Sequence, residues 1–85
     1  MTTRAEIHGW LKDAKKRGAT HLIVATDTFD YEDYPVPVMP GESVREKYDE
    51  QRNHEMTQVQ EVYALHLDLD SQLAEHRAFH LEYPL

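Results

Sequence analysis

Apolar residues near the start of the chain recur with a helical period. Ile7, Trp10, Leu11 and Ala14 fall at i, i+3, i+4 and i+7, one face of a 3.6-residue repeat. Thr3 and Glu6 make a T-x-x-E capping box, which satisfies free N–H groups at a helix start. Lys15, Lys16 and Arg17 fill the last turn, where the helix dipole favours cations, and Gly18 supplies a left-handed stop. The pattern predicts a first helix with Trp10 as its core anchor. Thr20–Thr26 reads THLIVAT, a short apolar run that predicts a strand buried on both faces. The polar, aromatic segment DTFDYEDY (27–34) follows as a connection, then PVPVM (35–39) as a second strand. Pro35 and Pro37 remove two ladder donors from one border of that strand, so it belongs at a sheet edge and the expected order is second, first, third.

Pro40-Gly41 ends the second strand, and Ser43 with Glu46 forms another capping box. The helix that follows, about 43–52, offers only Val44 and Tyr48 as apolar contacts. It is expected on the surface or against a partner chain. Residues 58–68 alternate, with Val59, Tyr63, Leu65 and Leu67 on one side, interrupted by Glu61 there and by Val62 and Ala64 on the other. That predicts a half-buried strand, with a helical reading open around 56–65. Asp68 or Asp70 then caps a last helix from Ser71 to about His80. The predicted fold is α+β: one small domain over 1–85, with 83–85 as a tail, in the order α-β-β-α-β-α. Its three-stranded, mostly antiparallel sheet carries the helices on one face.

Length and charge narrow the function classes. At 85 residues the chain buries only about 60–65% of its unfolded surface, and it has no Cys to staple a thin core. An uncovered second sheet face adds to that shortage, so a homo-oligomer is expected. Nine Lys and Arg against 16 Asp and Glu give a net charge of −7, which argues against direct DNA or RNA binding. No apolar run approaches a membrane span, and MTTRAEIHGW does not read as a signal peptide. With the absence of Cys, this sets the expectation of a cytoplasmic protein with no membrane contact.

No catalytic motif emerges, so no enzyme is expected, but three constellations are candidates for chemistry. His76 and His80 form H-x-x-x-H, a pair that would share one face of a helix. With His66, or a carboxylate such as Glu75 or Asp70, as a third ligand they would suit zinc, although the H-E-x-x-H pattern of hydrolytic zinc sites is absent, because Arg77 follows His76. The ordinary reading of such a pair is a solvent-facing polar helix, and no cofactor is expected. The segment 27–34 combines Asp27, Asp30, Glu32 and Asp33 with Phe29, Tyr31 and Tyr34. Its spacing is not that of a calcium loop, but its rings are costly to leave in water and suggest a binding or oligomer surface. Arg45 and Arg52, two helical turns apart, and Arg77 are candidates for phosphate contacts, and more commonly such residues form surface ion pairs.

The stretches THLIVATDTFDYEDYPVPVMPGE and QLAEHRAFH resemble a set of short uncharacterised proteins of phages, prophages and bacteria. Most of the chain is similar to them, with a HLIV..DTFD.EDYPV.V core and a terminal EHRAFH. The chain departs from their pattern at Pro37, where an aromatic residue is more usual. The resemblance implies a small accessory protein, phage-borne and acting in the host cytoplasm, and it assigns no catalytic residue. Together with the residue patterns it frames three expectations. The first is a non-enzymatic counter-defence factor that sequesters a small ligand, a signalling nucleotide, between subunits. Its site would use Tyr31, Tyr34, Arg45, Arg52, His76, Arg77 and His80. The second is an acidic, nucleic-acid-like inhibitor that binds a basic host protein through the acids of 27–33 and 68–70. The third is a metal-dependent hydrolase built on His66, His76 and His80.

Overall fold

The computed structural model describes residues 3–75 and 78–80. Its elements are α1 (Arg4–Lys16), β1 (His21–Asp27), β2 (Glu32–Val38), α2 (Val44–Arg52), β3 (Thr57–Ala64) and α3 (Leu69–Ala74). Both capping boxes form: the Thr3 and Ser43 hydroxyls accept from the N–H groups of Glu6 (3.1 Å) and Glu46 (3.3 Å). Gly18 ends α1 with φ 87°, the left-handed conformation a glycine adopts without steric cost.

The sheet is antiparallel in the order β2-β1-β3, with the proline strand at its edge. β2 starts at Glu32 rather than Pro35. The segment read as a connection therefore belongs mostly to a hairpin, in which Asp27 pairs with Glu32 and Thr26 with Asp33.

Alternation along β1 sends Leu22 and Val24 to one face and Ile23 to the other, and each face has its own core. Ile7, Leu11 and Ala14 of α1 pack with Leu22, Val24, Tyr63 and Leu65, with Leu69 and Leu73 against them. Val44 of α2 packs with Ile23, Val38 and Val62, flanked by Tyr48, Val36 and Val59. The helices therefore do not share one face: α1 and α3 lie on one side and α2 on the other. The uncovered face behind the expectation of an oligomer is thus partly sealed from within. Leu11, fully enclosed, anchors the first core, and Trp10 is only half-buried at its margin.

β3 settles the reading around 56–65 as strand. Its alternation slips because the pairing with β1 shifts register: Val24 meets Glu61 while Ala25 meets Val59. A bulge inserts one residue and reverses the facing of everything beyond it. Val59 consequently joins Val62 on the α2 side, while Tyr63 and Leu65 turn to α1.

Glu61, the acid that broke the apolar pattern, is buried and fully engaged. Arg4 Nη1 donates to both its oxygens (2.9 and 3.0 Å) and to the Tyr63 hydroxyl (2.9 Å), and the Ala78 N–H donates to it at 3.1 Å. That bond to Glu61 is the main cause holding the Arg4 guanidinium above its ordinary pKa. Burial, and next the Glu61 carboxylate, push the Tyr63 phenol up. Ala78–His80 lies beside β3 as a parallel bridge, with the Val62 N–H donating to the Ala78 carbonyl (3.0 Å) and the His80 N–H to the Val62 carbonyl (2.9 Å).

The last helix is shorter than expected. It ends at Ala74, and Glu75 is already extended (φ −69°, ψ 148°). Within it, the side-chain amide of Gln72 bonds both backbone groups of Ala64, which ties α3 to the end of β3.

Candidate binding surface

The turn between β1 and β2 is built by its own acids. The Asp27 carboxylate accepts from the Phe29 N–H (2.8 Å), that of Asp30 accepts from the Glu32 N–H (3.1 Å), and the Thr26 hydroxyl donates to Asp33. Short polar side chains that bond backbone two residues on are standard turn formers. This turn lifts two rings into solvent: Phe29 is 80% and Tyr31 76% exposed. Tyr31 also adopts φ 58°, the left-handed region that costs an L-residue roughly 1–2 kcal/mol. A bulky residue held there, with its ring in water, is a strained display.

That strain makes a prediction. Tyr31→Gly is expected to leave stability unchanged or raise it by about 1 kcal/mol, because glycine adopts this φ freely. A thermal melt of the variant measures it, and a clear loss of stability would show that the Tyr31 ring packs on the fold.

The remaining candidates are spread over the molecule. Tyr34, the third ring of the segment, is half-buried, and its hydroxyl donates to Gln51 Oε1 (3.1 Å) and lies 3.2 Å from Thr57 Oγ1. Arg52 bonds Asp49 (3.4 Å) and stands over the Tyr48 ring at 5.4 Å. Tyr48 also meets Phe79, edge-on at 5.2 Å. Residues missed by the sequence reading, Gln51 and Phe79, thus join Tyr34 and Arg52 on the α2 side, where Phe79 is 50% exposed. Arg45 is exposed at the start of α2. His80 lies past α3 and bonds the Glu75 carboxylate at 2.9 and 3.0 Å. His76 and Arg77 lie outside the described residues, as does the 83–85 tail.

Zinc ligation from a shared helical face meets an obstacle here, because α3 stops at Ala74 and His80 is not on it. His66 sits instead edge-on to the buried His21, ring centroids 5.9 Å apart. Among the described residues no three His, Asp or Glu side chains converge to hold a metal ion. No described helix is long and apolar enough to cross a membrane. No family model, curated protein or solved structure matches the chain.

Proposed function

We propose that this is a non-enzymatic binding protein that presents its β1–β2 turn to a basic, pocketed surface of another protein. The observation that carries the reading is the pair of exposed rings, Phe29 and Tyr31, on a turn whose backbone is strained at Tyr31. Aromatic anchors that enter a partner's pockets dominate interface energies. Around them Asp27, Asp30, Glu32 and Asp33 supply negative potential, which steers encounter with a basic partner and makes association salt-sensitive. A host protein is the partner that the resemblance to phage proteins favours. The test is capture and photo-crosslinking through position 31. A basic protein should be recovered at low salt, lost at high salt, and lost at either salt with the Phe29→Ser/Tyr31→Ser variant. Capture that ignores both the double substitution and the salt would refute the reading.

A second reading, sequestration of a nucleotide, draws on a different observation. Tyr48 contacts both Phe79, edge-on at 5.2 Å, and the Arg52 guanidinium, 5.4 Å from its ring, and aromatic rings beside arginine suit the face of a base. Calorimetry with cyclic and linear nucleotides tests it. Heat that disappears in Tyr48→Ala supports it, and no heat with any of them removes it.

A further inference from the structure

The cations of this acidic chain are unevenly partnered. Arg4 meets Glu61, Arg17 meets Asp13 (3.1 Å), Lys47 meets Glu42 (3.2 Å) and Arg52 meets Asp49 (3.4 Å). Lys12, Lys15 and Lys16 pair with no carboxylate among the described residues, although the chain holds 16 Asp and Glu. Arg45 is likewise unpaired but stands apart on α2.

The three lysines and His8 fall at i, i+4, i+7 and i+8 along α1 and form one wall of an open groove of about 560 Å³. Leu67, Asp68, Leu69 and Asp70 form the other wall. The Asp68 carboxylate is engaged by the Asp70 N–H (3.1 Å), and Asp70 lies 3.8 Å from His8. A smaller crevice of about 210 Å³ shares Lys15 and continues to Thr20 and His66. Like charges at helical spacing repel by roughly 0.2–0.5 kcal/mol per pair, and among the described residues no carboxylate lies within ion-pair distance of these three lysines.

We propose that this groove binds a small anion carrying two or more phosphate groups, with the phosphates on Lys12, Lys15 and Lys16. Ammonium groups are compact, multiply donating partners for phosphate, and the groove's volume falls within the roughly 300–1,000 Å³ of small-molecule sites. A less polar part of the ligand meets Leu67 and Leu69. The groove lies where β3 ends and β1 begins, since Ala64 pairs with His21. The acidic turn follows the far end of β1, a strand length of about 20 Å away, and therefore does not compete for the site. The inference is independent of both readings above.

Titration with inorganic triphosphate, ATP and adenosine, followed by calorimetry and amide NMR shifts, tests it. Triphosphate and ATP should bind and adenosine should not, with shifts confined to residues 8–16 and 65–70. Because the lysines are exposed, Lys12→Gln/Lys15→Gln/Lys16→Gln should fold normally by circular dichroism and bind at least tenfold more weakly. Arg45→Gln and Arg52→Gln should bind like the parent. The proposal is overturned by silence with triphosphate up to millimolar concentration, by shifts centred on α2, or by a triple variant that binds as tightly as the parent.

Discussion

Replacing Gln72 with Leu is expected to remove about 1–3 kcal/mol of stability. Gln72 is 2% exposed. Its Oε1 accepts from the Ala64 N–H (2.8 Å), and its Nε2 donates to the carbonyls of Ala64 (2.9 Å) and Asp68 (3.2 Å). The side chain thus takes the place of a neighbouring strand at the end of β3. Leucine nearly conserves the volume but leaves the buried Ala64 N–H unpaired, at about 1–3 kcal/mol, while the Ala64 carbonyl still accepts from the Leu67 N–H (3.2 Å). Glutamate should fail as well, because a carboxylate accepts but cannot donate to the Ala64 carbonyl. In a domain of this size the loss corresponds to a melting temperature roughly 5–20 °C lower, which calorimetry would show. A Gln72→Leu protein that melts with the parent would contradict this account of how α3 is held.

Glu61→Ala is expected to cost about 2–4 kcal/mol and to loosen the segment from Ala78 to His80. Arg4 is 48% exposed along its side chain, so the ion pair itself is screened and contributes the smaller share. The larger share comes from the Ala78 N–H, which donates to Glu61 in a fully buried setting and would lose its acceptor. Glu61→Gln keeps one oxygen that can accept from both Ala78 and Arg4 but loses the second Arg4 bond and the charge assistance, so about 1 kcal/mol is expected. Hydrogen exchange separates the roles: the amides of Ala78 and His80 should lose protection in the alanine variant and largely retain it in the glutamine one. Equal stability of the two variants would mean that Arg4, not the backbone of Ala78, is the partner that matters.

These two residues also mark how far the sequence could be read. Glu61 was visible as an interruption of an apolar stripe, but its partners lie 57 and 17 residues away in sequence, beyond any local pattern. Gln72 was not visible at all. In a short polar helix it looks like a solvent-facing residue, and only the end of β3 beside it makes it structural. The surface residues divide in the same way. Three rings in 27–34 pointed to a possible surface, yet nothing in their spacing separates Tyr34, bonded to Gln51 and Thr57, from Phe29 and Tyr31, which stand in solvent. The basic end of α1, Lys15 and Lys16 with Arg17, reads in sequence as a dipole-favoured helix end. It became a candidate site only when the segment 67–70 was found opposite it.

What the amino-acid order alone determines is local. Capping boxes, a helical period, a glycine stop and two prolines on one strand border act through neighbours a few residues apart, and they specify the six elements, their order and the place of β2 at the edge. What the tertiary structure decides is everything that depends on which face an element meets. The bulge in β3 reverses the facing of Tyr63 and Leu65 relative to Val59, and α2 crosses to the second face because Ile23, Val38 and Val62 offer it apolar cover. The last helix stops at Ala74, and Gln72 within it bonds the backbone of Ala64. Each outcome turns on the burial of a group whose partner is distant in the chain, and a side chain's burial is set by packing rather than by its neighbours in sequence.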